Sequence, residues 1–107
     1  MSSIVIEGII RGRIGFDGLL MSDDIAMEAL SGPIGARARA ALAAGCDVVL
    51  HCSGQLADNR AVAAAIEEIG EAARARLDRA LARISGKASF KNYEELAAKR
   101  DALLAYA

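Results

Sequence analysis

The sequence predicts an α/β protein with parallel strands, and three patterns support this fold class. Two short, largely apolar runs at 17–22 and 46–52 have the length of strands, and "GARARAALAAG" between them has a helical composition. Strands that are joined through a helix pair in parallel by a right-handed crossover. The predicted order is helix, strand, helix, strand and then further helices.

The first helix is predicted over residues 2–11, where four apolar residues recur at spacings that fit one helical face. These are Ile4, Val5, Ile9 and Ile10. Ser2 or Ser3 can cap this helix, whereas Gly8 disfavours it. The glycine-rich "GRIGFDG" is predicted to be a loop, and the strand at 17–22 is apolar enough to be buried on both faces.

Ser22, Asp23 and Asp24 are expected to close the first strand, and "DIAMEAL" to open a helical turn that ends at "SGP". The crossover helix follows Pro33 and closes at Gly45, and "CDVVLHC" forms the second strand.

Three more helices are predicted, over 57–70, 71–85 and 93–106. Asn92 can cap the last one, with Glu95 at its third position.

Composition excludes several classes of function. With 13 basic and 14 acidic residues the formal charge is −1, which gives no electrostatic reason to expect nucleic acid or an anionic membrane as a partner. No run approaches the roughly 18 apolar residues of a membrane span, and the start does not fit a secretory signal, so we expect a cytoplasmic protein. Cys46 and Cys52 lack zinc-site spacing, and we predict two buried free thiols and no metal or cofactor.

Two strands alone cannot bury both faces of a parallel sheet, so residues 1–107 are expected to form one incomplete domain of a larger α/β fold. Residues 1–56 would hold both strands and their crossover helix, and 57–107 the C-terminal helices.

Polar residues at the carboxyl ends of the two predicted strands are the candidates for chemistry, because α/β folds place their active sites there. "SDD" also fits a plain helix N-cap, with Ser22 or Asp23 accepting backbone N–H groups and Asp24 facing the helix dipole. His51 has no acidic or basic residue directly beside it in sequence, which favours a satisfied structural role. Asp47 is interpreted as the start of a strand, and Asp58 as a loop or cap residue. The arginines of the helices are expected to pair with acidic neighbours.

"IRGRIGFDGLLMSDDIAMEALSG" and "RARAALAAGCDVVLHCSG" together resemble the C-terminal part of the catalytic barrel of bacterial family 3 glycoside hydrolases, the β-N-acetylhexosaminidases. The resemblance is close over about residues 7–60 and implies that the strands are the seventh and eighth of a (β/α)8 TIM barrel. It also implies hydrolysis of terminal N-acetylglucosamine from cell-wall recycling products.

In that family the first aspartate of "SDD" is the catalytic nucleophile, and the matching residue here is Asp23. The family's acid/base histidine lies in a "KHFPGHG"-type stretch that these 107 residues do not contain, and His51 does not match it. The resemblance therefore implies a fragment with weak or no activity alone.

Two alternatives come from other classes of protein. The chain could act as a non-catalytic βαβ module that forms a homo-oligomer through exposed strand edges. A phosphate-binding module is disfavoured, because "GRIGFDG" lacks the GxGxxG order and a helix directly after it.

Overall fold

The computed structural model describes residues 2–84 and 92–105, and its element order confirms the predicted one. The elements are an N-terminal π-helix (Ile4–Arg13), β1 (Met21–Asp24), α1 (Ile34–Ala43), β2 (Val48–Leu50), α2 (Leu56–Ala65), α3 (Glu71–Ile84) and α4 (Tyr93–Leu104). Residues 85 and 106, the predicted last residues of two helices, lie outside the described part.

The two strands form a parallel sheet, which confirms the α/β class. Met21 lies opposite Val48 and Asp24 lies opposite Leu50. Three residue steps along β1 therefore match two along β2, and the register shifts between the two pairs. The side chain of Ser22 fills this irregularity, because its Oγ accepts the backbone N–H of Leu50 at 3.0 Å. The predicted N-cap role of Ser22 is therefore wrong.

The first strand begins four residues later than predicted and includes both aspartates. β2 is only three residues long, so β1 pairs regularly only over the short stretch that lies beside β2. The predicted burial on both faces is also wrong: Met21 and Asp23 are exposed, and Ser22 and Asp24 are half-buried. Within the described residues, this strand has a neighbour on one edge only.

The N-terminal helix is wound more widely than the predicted α-helix. It spans Ile4–Arg13, and the bond from Ile14 N–H to the carbonyl of Ile9 at 2.8 Å shows the five-residue step of a π-helix. Ser2 Oγ accepts the N–H of Val5 at 3.4 Å, so one of the two predicted capping serines does contact the first turn.

The core lies between β1, α1 and α2. Ile25, Ala38 and Val62 are its buried centre, and four partly buried residues pack against them: Leu30, Ile34, Val49 and Ile66. Gly35 allows α1 to approach α2 closely, because a Cβ there would lie 2.9 Å from the carbonyl oxygen of Ala61. Gly45 follows α1 at φ +109°, which confirms the predicted glycine closure of this helix.

The later helices contribute less to burial. α2 ends at Ala65, five residues earlier than predicted, because Ile66 is extended. α3 and α4 have no fully buried residue, and Asn92 precedes α4 without the predicted side-chain cap bond. None of the helices within 2–84 and 92–105 combines the length and the apolar character needed to cross a lipid bilayer.

Candidate active site

Asp23 is the most open polar residue of β1. It is exposed, and its Oδ1 accepts the backbone N–H of Asp24 at 2.8 Å. Among the described residues, none donates a hydrogen bond to Oδ2 of Asp23. One carboxylate oxygen is therefore held by the backbone, and the other is free for a ligand.

A cavity of about 280 Å³ borders this carboxylate. Its walls are mainly apolar and come from the π-helix, from β1 and from the turns after β1. The lining includes Ile6, Ile10, Leu20, Asp23, Asp24, Ile25, Met27 and Leu30. The candidate nucleophile thus lies between solvent and an apolar recess.

Asp24 ties the ends of both strands together. Its Oδ1 accepts the backbone N–H of Ala26 at 2.9 Å and of Cys52 at 3.2 Å. Asp24 therefore has the backbone-capping role expected of this motif, although turns rather than a helix follow it. The side chains of the two aspartates therefore have different roles: that of Asp24 binds backbone N–H groups, and that of Asp23 is exposed.

His51 lies beside this anchor, with its side chain only 7% exposed. Its Nε2 is 2.8 Å from Ser53 Oγ and 3.9 Å from Asp58 Oδ2, and its Nδ1 is 3.8 Å from Asp24 Oδ1. Nδ1 is buried and has no hydrogen-bond partner among the described residues. The expectation of a satisfied structural histidine is therefore wrong for this nitrogen. Folding also brings two carboxylates near the ring that the sequence around His51 does not show.

Ser53 completes the cluster. Its hydroxyl is within 3.0 Å of Asp58 Oδ2 and accepts the backbone N–H of Gln55 at 3.1 Å. Asp58 lies in the first turn of α2, where a carboxylate suits the helix dipole. The N-cap residue is Gln55, so the interpretation of Asp58 as a loop or cap residue is wrong. Asp24, His51, Ser53 and Asp58 form a contiguous polar group at the carboxyl ends of the strands, which we call the His51 cluster.

The two cysteines flank β2 at different depths. Both thiols are free, Cys46 is half-buried and Cys52 is exposed, so the predicted burial is wrong for Cys52. Burial raises the pKa of the Cys46 thiol, and the negative charge of Asp47 adds to this effect. A half-buried thiol with a raised pKa is not typical of a reactive cysteine, so Cys46 is not a candidate nucleophile.

At the amino ends of the strands, sequence reasoning missed the role of Asp47. Its side chain is 5% exposed and accepts bonds from Arg11 (2.8 Å), the N–H of Leu20 (2.8 Å) and Arg76 (2.7 Å). Burial alone would raise the pKa of Asp47, but the bonds from Leu20, Arg76 and Arg11 outweigh it and lower the pKa below its usual value. We call Asp47 with Arg11 and Arg76 the Asp47 cluster.

Arg76 and Arg79 of α3 pair with carboxylates, but their partners are far away in sequence and are not the predicted acidic neighbours. The bond to Asp47 raises the pKa of Arg76, which also lies 3.4 Å from Asp17. Arg79 bonds the same Asp17 at 2.9 Å. Arg37 donates instead to backbone carbonyls, including those of Ile25 and Gly32. These contacts attach α3 and the turns to the strands, and no arginine within residues 2–84 and 92–105 bonds Asp23.

No set of three or more His, Cys, Asp or Glu side chains within residues 2–84 and 92–105 is placed to hold a metal ion.

A parallel βαβ unit that presents a carboxylate at the end of its first strand is typical of α/β enzymes. Residues 1–86 match the glycosyl hydrolase family 3 N terminal domain, and this match covers most of the chain. The chain therefore belongs to glycosyl hydrolase family 3.

Relatives from several bacteria carry the name Beta-hexosaminidase. The protein of Chromobacterium violaceum is 40% identical over 102 residues, which are 94% of this chain and 28% of that protein. The protein of Aromatoleum aromaticum is 56% identical over 50 residues, 45% of this chain and 14% of the relative. That of Bordetella pertussis is 54% identical over 55 residues, 50% of this chain and 16% of the relative. In these three comparisons, the matched residues span between 14% and 28% of the relative's length.

Proposed function

We propose that this chain carries the nucleophile of a retaining β-N-acetylhexosaminidase, and that Asp23 is that nucleophile. The observation that carries the proposal is the state of Asp23 at the end of β1: exposed, held through Oδ1 and free at Oδ2. Family membership and the printed name of the relatives support the substrate class, a glycoside of an N-acetylhexosamine. The resemblance to the enzymes of cell-wall recycling narrows this to terminal N-acetylglucosamine.

The chemistry is a double displacement. Oδ2 of Asp23 would attack the anomeric carbon, forming a glycosyl ester while the bond to the leaving oxygen breaks and that oxygen takes a proton from an acid. Water, deprotonated by the same acid in its basic form, would then cleave the ester and restore the carboxylate. The N–H of Asp24 on Oδ1 keeps the carboxylate oriented through both steps.

His51 is not assigned the role of the acid. Its ring is 7% exposed and turned to Ser53 and Asp24 rather than to Asp23. The resemblance places the acid in a histidine-bearing stretch that is not within these 107 residues. General acid/base catalysis contributes about 10²–10⁴ in rate, so we propose weak or no turnover by the isolated chain.

We also propose that β1 and β2 correspond to the seventh and eighth strands of a (β/α)8 barrel. Their parallel pairing and crossover through α1 support this placement. A barrel of this type takes about 250 residues, and its catalytic groups come from the carboxyl ends of several strands.

The test is covalent trapping followed by intact mass measurement. A fluorinated N-acetylglucosaminide with a leaving group that needs no acid should add one sugar to the 107-residue chain, with the label mapped to Asp23. Asp23→Asn should abolish the adduct. Asp17→Asn, the matched control at another exposed carboxylate, should leave it unchanged. Absence of label on the chain, while a complete Beta-hexosaminidase is labelled in parallel, would contradict the proposal.

A second candidate, self-association without catalysis, is favoured by the exposed apolar surface. Ile4 is 80% exposed, Ile14 69% and Met21 55%. The radius of gyration is 18.3 Å, whereas a compact domain of this length has about 13 Å. Sedimentation velocity at micromolar concentration should show a dimer or larger species; a compact monomer would contradict this candidate.

A further inference from the structure

We propose that Nδ1 of His51 carries a proton directed at Asp24, and that His51 is thereby a positioning residue for the end of β1. The positioning effect of His51 on Asp23 rests on the proposed function, whereas the proton on Nδ1 does not depend on it.

Nδ1 of His51 is buried and lacks a hydrogen-bond partner within the described residues. Leaving such a group unpaired is unfavourable, and native structures rarely do so without a reason. The carboxylate oxygen that faces Nδ1 is Oδ1 of Asp24 at 3.8 Å. This separation is longer than a hydrogen bond, so a small movement of the ring or the carboxylate would close it.

The other ring nitrogen of His51, Nε2, lies 2.8 Å from the hydroxyl oxygen of Ser53. Ser53 has one hydroxyl proton and two acceptors for it, His51 Nε2 and Asp58 Oδ2. If Ser53 donates to Nε2, a neutral ring must carry its proton on Nδ1, opposite Asp24. If Ser53 donates to Asp58, Nε2 must itself donate to the hydroxyl. The ring then either takes a second proton on Nδ1, or leaves a bare lone pair facing a carboxylate.

Only the neutral form with its proton on Nε2 therefore sets two electron-rich atoms against each other. Every other arrangement places a proton on Nδ1, where it faces Asp24 Oδ1, the oxygen that already accepts the N–H groups of Ala26 and Cys52. Within the described residues, the charged groups within 4 Å of the ring are Asp24 from β1, which faces Nδ1, and Asp58 from α2, which faces Nε2.

The contact then continues to the candidate nucleophile. Asp24 holds the segment after β2 through Cys52, and its own N–H holds Oδ1 of Asp23. A proton between His51 and Asp24 restrains the peptide that orients Asp23. His51 does not touch the sugar in this arrangement; it acts through Asp24.

The test is long-range ¹H–¹⁵N NMR of the 107-residue chain with ¹⁵N-labelled histidine. His51 is the only histidine, so its two ring nitrogens are assigned without ambiguity. The spectrum is recorded at a pH of about 8.5, which is about two units above the ordinary pKa of histidine. Nδ1 should then resonate as a protonated nitrogen, whether the ring is neutral or charged. A ring with its proton on Nε2 alone, or one that averages between both forms like a free imidazole, overturns the proposal.

Paired variants separate the two carboxylates. Asp24→Asn should increase the fraction with the proton on Nε2, because an amide holds the Nδ1 proton less strongly than a carboxylate. Asp58→Asn, the matched control on the opposite side of the ring, should keep the proton on Nδ1. Equal effects of both variants would overturn the assignment to Asp24. The wild-type spectrum decides the proposal if a variant does not fold.

The consequence for Asp23 is measured as the rate of trapping by the fluorinated glycoside. His51→Leu should slow labelling about tenfold or more, as expected for a misplaced reacting group. His51→Asn should restore much of the rate, because its amide N–H can occupy the place of Nδ1; equal loss in both variants would overturn the positioning role. Labelling of Asp23 with the proton on Nε2 alone would refute only this inference, whereas a protonated Nδ1 without labelling would refute the proposed function.

Discussion

The two ends of the small sheet carry similar residue types in opposite states. At the amino ends, Asp47 is nearly buried and accepts three short bonds from Arg11, Leu20 and Arg76. At the carboxyl ends Asp23 is exposed, and within the described residues neither its Oδ2 nor the buried Nδ1 of His51 has a hydrogen-bond partner. Satisfied charges hold elements together, whereas unsatisfied ones are available for chemistry. The comparison indicates that one end stabilises the unit and the other serves the proposed reaction.

Replacing Asp23 should have the largest effect on turnover and very little effect on stability. In a complete family 3 enzyme that contains this segment, Asp23→Ala should remove nearly all turnover, because no carboxylate remains to form the glycosyl ester. The free energy of unfolding should change by less than about 0.5 kcal/mol, since this side chain is exposed. Steady-state kinetics and urea unfolding measure the two quantities. Retained turnover would contradict the assignment of the reaction to the carboxyl ends of the strands.

Replacing Asp47 should have the largest effect on stability. Asp47→Ala leaves Arg11 and Arg76 without their shared carboxylate and should cost about 3 kcal/mol. This cost is a substantial fraction of the roughly 5–15 kcal/mol by which native domains are stable. Urea unfolding followed by circular dichroism measures the cost, and a loss below about 1 kcal/mol would show that the Asp47 cluster is not the main clamp.

Acid should weaken the same cluster. The pKa of Asp47 is lowered in the folded chain, so its contribution is full above the unfolded value, near 3.8, and is lost as the pH falls through the folded value. The difference in free energy of unfolding between wild type and Asp47→Asn should therefore shrink as the pH falls from about 5 to 3. A difference that grows in acid would contradict the assigned direction.

Replacing Asp24 tests the anchoring role at the carboxyl ends. Asp24→Ala removes the acceptor for the N–H groups of Ala26 and Cys52 and should cost about 0.5–2 kcal/mol, as a lost cap does. In the complete enzyme it should reduce kcat far less than Asp23→Ala. Equal loss of kcat in both variants, with folding intact, would refute this division between the two aspartates.

Replacing Asp17 should have the smallest effect. Its side chain is 77% exposed, although it bonds Arg76 and Arg79. Asp17→Ala should cost less than about 1 kcal/mol, because exposed ion pairs contribute little. This variant is the matched control for Asp47→Ala, and the contrast between them measures the effect of burial.

Local patterns were enough to predict the element order, the parallel pairing and the closure of α1 at Gly45. Each of these depends on residues close together in the chain, such as a helical spacing or a glycine at positive φ. The motif around Asp23 also indicated the family, because its residues are contiguous. The bounds of β1 were wrong, since a strand ends where its neighbour stops pairing rather than where its apolar residues stop.

By itself, the sequence determined the fold class, the family and the candidate nucleophile Asp23, all of which depend on contiguous residues. Only the tertiary structure decided that Asp47 binds Arg11 and Arg76, and that His51 lies between Asp24 and Asp58. These partners are far apart along the chain, and no periodicity encodes their meeting. The physical reason is that burial and charge pairing depend on distances in space, which are set when the strands pair and the helices pack on them.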